Sequence, residues 1–261
     1  MWLQLVNIIA GFALLEWGAD RFVMGAAGTA RNLGVSPLII GLTIVGFGTS
    51  APEILVSVMA ALQGNPGLAI GNAIGSNITN IALILGTTAL VAPLSIHSGI
   101  VKRELPILIG TTLVAFVLLS DGTLGRMDGL VLLIGLMIML SSVIYIGISG
   151  RDKDPVVAEY EAEIPTDLSL AQSLMWLIIG LVVLVGSSRM LVWGAVGVAE
   201  HFGISDLIIG LTIVALGTSL PELAASIASV LKNEHDIAIG NVIGSNMFNI
   251  LAVLGIPGII S

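Results

Sequence analysis

Two glutamates, Glu53 and Glu222, stand inside otherwise apolar stretches, each in the same short setting, Gly-Thr-Ser-x-Pro-Glu. An ionised side chain near the middle of a bilayer costs about 2.5–3.5 kcal/mol on insertion scales, so it needs a compensating partner. No lysine or arginine lies at similar depth in either stretch, which makes a bound cation the natural counter-charge. The neighbouring residues suit that role. Thr49, Ser50, Thr218 and Ser219 put hydroxyls at the same level. Gly46, Gly48 and Pro52 in one copy, and Gly217 and Pro221 in the other, weaken the helix just ahead of the glutamate. Proline removes a backbone donor and clashes with the carbonyl four residues back, which frees carbonyls near Gly48 and from Ala215 to Gly217.

A second block adds amides and another hydroxyl. Ser76 and Asn80 are four residues apart and share a helix face, as do Ser245 and Asn249. Gly71 and Gly75, like Gly240 and Gly244, form small-xxx-small pairs that let neighbouring helices approach closely. Every candidate ligand is an oxygen. Carboxylate, carbonyl, hydroxyl and amide oxygens suit hard ions such as calcium and exclude a thiolate site of the copper or zinc kind. Two carboxylates are neutralised by one calcium ion or by two monovalent cations.

Structural roles compete with these. Ser50-Ala51-Pro52-Glu53 and Ser219-Leu220-Pro221-Glu222 both fit a capping box, serine at the N-cap and glutamate at the third position. Asn77 and Asn246 lie off the Ser76/Asn80 face and read as interhelical hydrogen-bonders, whereas Asn72 and Asn241 fit either a ligand or a structural role. Glu16 and Asp20, beside Arg21, are expected at an interface late in the first span. The four tryptophans and the methionines read as packing and interfacial anchors.

The motifs belong to a duplication. GLTIVGFGTSAPEI at 41–54 recurs as GLTIVALGTSLPEL at 210–223, with ten of fourteen positions identical. GNAIGSNITNIALILG at 71–86 recurs as GNVIGSNMFNILAVLG at 240–255, with ten of sixteen identical, and both blocks share one offset of 169 residues.

The elements that hold these blocks are read as membrane helices. The chain has 261 residues, 56% hydrophobic and only 10% charged, too few charges to cover a water-exposed surface. Eight spans are expected, at roughly 2–25, 36–62, 68–93, 105–120, 127–149, 170–196, 205–231 and 237–260. Five spans separate the two copies of the motif, so the copies enter the membrane in opposite directions. The fold class is therefore all-α, a polytopic bundle of inverted-topology repeats with a site near the midplane. A first repeat at 1–149 and a second at 170–261 flank an acidic linker, 150–169, which carries six acids and two bases. Lysines and arginines gather on one side of this arrangement, seven against two, which sets the N-terminus outside and the linker in the cytoplasm. The N-terminus has no basic leader or small-residue cleavage site and reads as a retained span.

Several functions are disfavoured. With no cysteine, thiolate chemistry is excluded, and the net charge of -8 argues against nucleic acid. His97, His201 and His235 lie in polar connections, so no base stands in a span near Ser50 or Ser219, and no GxSxG turn is present. A hydrolase is thereby disfavoured, and no tightly bound cofactor is expected.

At GTSAPE (48–53), GTSLPE (217–222) and the paired GNxIGSN blocks, the chain resembles the cation/calcium antiporter superfamily, above all its prokaryotic sodium/calcium exchangers. The resemblance covers essentially the whole chain. It implies ten helices as two inverted repeats of five, in a prokaryotic plasma membrane, with sodium and calcium as cargo. It implies that Glu53 and Glu222 are shared carboxylate ligands, joined by Thr49, Thr218, Ser50, Ser219, Ser76, Ser245, Asn80, Asn249 and the carbonyls of Gly46 and Ala215. The first and sixth spans would slide as a pair. Two departures stand out. An amide occupies Asn249, where some exchangers carry aspartate, so a three-sodium stoichiometry does not carry over. The repeat offset maps Ser261 onto Ala92, so counterparts of 93–149 are expected to be missing from the second repeat. Exchange of calcium for sodium is the leading expectation, with proton/calcium antiport and a cation channel as alternatives.

Overall fold

A computed structural model describes residues 2–35, 37–64, 66–95, 100–149, 168–203 and 215–260. Their secondary structure is helical: α1 (Trp2–Leu33), α2 (Pro37–Ile40, a π-helical Gly41–Val45, then Gly46–Thr49), α3 (Ala51–Leu62), α4 (Pro66–Val91), α5 (Leu105–Leu118), α6 (Arg126–Ser149), α7 (Leu170–His201), α8 (Ala215–Thr218), α9 (Leu220–Leu231) and α10 (His235–Ile260). Among the described residues six helices are long and apolar enough to cross a membrane, and α2 with α3 adds a pair bent by 52° that makes a seventh when counted as one span. Apolar side chains such as Phe116, Val117, Ile138 and Val182 are more than half exposed, as a lipid-facing surface requires. The chain is an integral membrane protein. The expected seventh span is described only from Ala215, because 204–214 lie outside the described residues, as do His97 and most of the linker, 150–167.

Two boundaries differ from expectation. Helix α1 runs on to Leu33 rather than ending near 25, and α7 to His201 rather than 196. The reason is their mutual packing. Gly11, Gly18 and Gly25 of α1 face Leu191, Leu184 and Leu177 of α7, a descending order that sets the helices antiparallel. A Cβ at Gly18 would lie 3.0 Å from the Leu184 backbone nitrogen, and one at Gly194 would lie 2.8 Å from the Gln4 carbonyl. Glycine's missing side chain thus brings the two backbones into contact, and the small-residue ends that resemble a span terminus are packing surface. Because α1 and α7 are repeat-equivalents, their opposed directions match the expected inversion.

The remaining helices surround α10, whose residues from Ile237 to Leu254 are buried without interruption. Helices α5 and α6 cover its outer side, where Gly129 and Gly258 allow a close crossing. On its inner side α2 crosses it at Gly41, Gly46 and Gly244; a Cβ at Gly46 would stand 3.0 Å from the Ser245 nitrogen. The Gly240 and Gly244 pair therefore acts as expected. Gly71 and Gly75 meet nothing among the described residues, and the segment equivalent to 41–45, 210–214, lies outside them. The connections are equivalent too. Gly64 turns the chain at φ 71°, and 169 residues later Asn233 takes the same left-handed conformation at φ 61°.

Candidate functional site

The bent span breaks at Ser50. Pro52 sits in the first turn of α3, where its missing N–H is one of the helix's unpaired donors anyway, and Pro221 does the same in α9. Glu53 and Glu222 therefore occupy the first turns of two half-helices, where the N-terminal partial positive charge favours a carboxylate. Both side chains are only 1% exposed. The two half-helices meet, since Ser50, three residues before Glu53, lies against the Glu222 carboxylate.

The capping-box reading is not what the serines do. Neither Ser50 nor Ser219 makes a side-chain cap bond. The Ser50 hydroxyl instead donates across the repeat to Glu222 Oε1 at 3.4 Å. Among the described residues, both oxygens of Glu53, Oε2 of Glu222, Oγ of Ser219 and Oδ1 of Asn80 and Asn249 are buried without a hydrogen-bond partner. Such a concentration of unsatisfied acceptors is unfavourable unless a cation or protons complete it.

The amides are held in place by a pattern that repeats at the offset of 169. Asn72 Nδ2 donates to the Glu53 carbonyl at 3.0 Å and to Ser57 Oγ at 2.9 Å. Asn241 Nδ2 donates to the Glu222 carbonyl at 3.1 Å and to Ser226 Oγ at 2.9 Å. These two asparagines, open between ligand and scaffold in the sequence, tie their amide nitrogens to the backbone carbonyls of the glutamates. Ser57 and Ser226 fall outside the repeated motifs, although their shared offset and their place four residues after each glutamate mark them. Asn77 donates to the Asn246 carbonyl at 3.3 Å, an interhelical bond, and Asn80 Nδ2 donates to Asn246 Oδ1 at 3.1 Å.

Three of the other expected ligands, Thr49, Ser245 and the Gly46 carbonyl, come together. Thr49 donates to Asn241 Oδ1 at 3.0 Å, and its hydroxyl is 3.3 Å from that of Ser245, which reaches the Gly46 carbonyl at 3.4 Å. Ser76, Ser245, Asn80 and Asn249 are all buried. π-helical turns begin at Asn80 and Asn249 and end just before Gly46, a local widening common at functional sites and not visible in the motif spacing. Ala215 opens α8, while the segment before it lies outside the described residues.

Among the described residues the two repeat-equivalent helix contacts near this level differ. On α9, Ala225 is fully buried and packs with Ala224 and Ala228 into a cluster that includes Ala26, Ala27 and Ala30 of α1. The repeat-equivalents on α3, Leu55, Val56 and Met59, are 48%, 36% and 47% exposed. There a cleft of about 380 Å³ opens between α3 and α7 and reaches Gly217 and Thr218.

A helical membrane protein with two matching half-helices around buried, unpaired oxygen atoms fits the class of secondary cation transporters. The sodium/calcium exchanger protein family model matches residues 3–145 and 172–261, and the chain belongs to that family. It is 53% identical to CaxA of Alkalimonas amylolytica, named as a candidate antiporter, over 98% of this chain and 80% of that one. It is 32% identical to the sodium/calcium exchanger MaX1 of Methanosarcina acetivorans, over 97% of this chain and 81% of the relative. The solved sodium-calcium exchanger NCX_Mj superposes with a TM-score of 0.86 at 36% identity, covering 99% of this chain and 82% of that structure. Family and fold support cation/calcium antiport.

Proposed function

We propose that this chain exchanges calcium for sodium by alternating access, with calcium carried between Glu53 and Glu222. The observation that carries the reading is the pair of facing carboxylates, 1% exposed, whose oxygens among the described residues lack hydrogen-bond donors apart from the long Ser50 contact. A hard divalent cation satisfies several such oxygens at once and cancels both charges. Thr49, Ser50, Ser76, Asn80 and the Gly46 carbonyl supply further oxygens from the first repeat. Thr218, Ser219, Ser245, Asn249 and the Ala215 carbonyl supply them from the second. The first repeat spans 1–149 and the second 170–261, with the linker 150–169 between them, in a prokaryotic plasma membrane with the N-terminus outside.

The difference between the two contacts supports alternation. The closed α1–α9 contact and the open α3–α7 contact are repeat-equivalents, so exchanging their conformations would turn the molecule to the other face. Calcium-45 uptake into vesicles of reconstituted protein tests the coupling ion. Uptake driven by a sodium gradient and not by a proton gradient is the expected result. Dependence on protons alone replaces sodium with the proton as counter-ion, and uptake without any gradient of counter-ion makes the protein a channel.

A further inference from the structure

Helices α1 and α7 touch each other through their backbones and form one unit, so what joins this unit to the rest of the molecule decides which mouth is closed. At the closed mouth one such link is ionic. Lys232, the residue that ends α9, places its Nζ 2.7 Å from Asp20 Oδ1 on α1. Among the described residues the open mouth has no corresponding pair. The repeat-equivalent of Asp20 is Arg189, which lines the cleft, and the repeat-equivalent of Lys232 is Gln63, which ends α3. An arginine and a glutamine cannot form an ion pair when that side closes. The two closed states, related by the repeat, are thus unequal in this one electrostatic link.

We propose that Asp20 and Lys232 are a latch that holds the α1–α9 mouth shut in the conformation of this structure and must part for that mouth to open. The proposal rests on the alternating-access reading above. The surroundings fit a bond that is made and broken. Both partners are partly exposed, 45% for Asp20 and 33% for Lys232, so neither charge is stranded in a dry interior when they separate. Asp20 also has a second partner within its own body. Asp20 Oδ2 is 3.9 Å from Arg21 Nη1, and Arg21 is held between the rings of Trp17 on α1 and Trp176 on α7, at 5.7 and 5.2 Å, so it travels with Asp20. Parting the latch therefore leaves Asp20 beside Arg21 and Lys232 partly exposed. A partly exposed pair of this kind is a weak bond, suited to biasing an equilibrium without freezing it.

The chain has no native cysteine, so single reporter cysteines can be read without background. Ala224→Cys reports the α9 mouth and Leu55→Cys the repeat-equivalent α3 mouth; each is labelled with a membrane-impermeant maleimide from its own side in vesicles. With Asp20→Asn or Lys232→Gln, labelling at 224 is expected to rise by about 1.5- to 5-fold and labelling at 55 to fall in step. The double variant is expected to match the larger single effect, since both changes remove one bond. Unchanged labelling, or additive effects, would overturn the latch. A second test is a covalent one. Asp20→Cys with Lys232→Cys, once oxidised to a disulfide, is expected to stop calcium uptake until a reductant restores it; undiminished uptake by the oxidised form overturns the proposal. If the native chain moves no calcium under any gradient, the transport reading falls while the labelling ratios still decide the latch.

Discussion

Asn80 gives its amide nitrogen to Asn246 Oδ1 at 3.1 Å, which leaves the oxygen end of the Asn80 amide buried, unpaired and available to a cation. Asn246 thus orients the Asn80 amide, a calcium ligand in the proposed function. It lies one position after Ser245 on the helix that α2 crosses, and in the sequence it reads as an interhelical hydrogen-bonder. Replacing it by leucine removes the acceptor and lets the Asn80 amide turn. Asn246→Leu is expected to raise the calcium concentration for half-maximal uptake by about tenfold, the low end of what loss of a ligand-orienting partner costs. The variant should still insert and bind at higher calcium. Native half-saturation would show that Asn80 is oriented by something else.

Removing a carboxylate is the harsher change. Glu53→Gln and Glu222→Gln each leave one acid facing a neutral amide, so the divalent charge is no longer balanced in a buried site. Taking one member from a buried charged set costs about 3–5 kcal/mol, which corresponds to at least a hundredfold loss of calcium uptake. Because the two positions are repeat-equivalents, the losses should be similar. Calcium-45 uptake with matched protein in the membrane fraction checks both, and normal uptake by either variant would remove that glutamate from the site.

Much of this arrangement is legible in the order of the residues alone, because the duplication writes the site twice. The offset of 169 pairs Glu53 with Glu222 and Asn80 with Asn249, and all four are buried in the fold. What the sequence hides is long-range. Ser50 satisfies every local requirement of an N-cap, yet its hydroxyl turns to Glu222, 172 residues away. Local pattern cannot reveal which of two acceptors wins when one of them arrives from the opposite repeat. The end of α1 is obscured for a similar reason. Gly25 to Ala30 are weak in hydropathy and look like a terminus, but α7 lies against them and the helix continues to Leu33. The π-helical turns are hidden because motif spacing is read on a period of 3.6 residues.

The backbone contact between α1 and α7 makes a sharp stability prediction. A Cβ at Gly25 would run into the Leu177 backbone, and one at Gly180 into that of Phe22, whereas Gly186 on the same helix meets nothing within 4 Å. Gly25→Ala and Gly180→Ala are each expected to destabilise the protein by about 1–3 kcal/mol through overpacking against rigid backbone. Gly186→Ala should be neutral or stabilising by up to about 1 kcal/mol, since alanine favours the helix. Unfolding in detergent, compared across the three variants, reads the contrast. Equal effects would mean that the α1–α7 contact is looser than its geometry.

Glu234 adds a pH dependence that the transported ions do not share. It lies in the connection between α9 and α10, outside the spans, and is 6% exposed. Burial first, and the Asp236 carboxylate second, push its pKa from 4.5 up to about 7 against the opposing pull of Lys232. The unfolded chain ionises this carboxyl near its ordinary value, so between the two pKa values the folded state binds the extra proton. Its contribution to stability is therefore fully present below about pH 4.5 and is lost as the pH rises through about 7. Glu234→Gln has no proton to lose. Its unfolding midpoint should match the native one near pH 4.5 and exceed it above pH 7, with the gap opening between those two values. A gap that is the same at both ends would show that Glu234 ionises as an ordinary surface acid, and that its place beside Lys232 carries no linkage to folding.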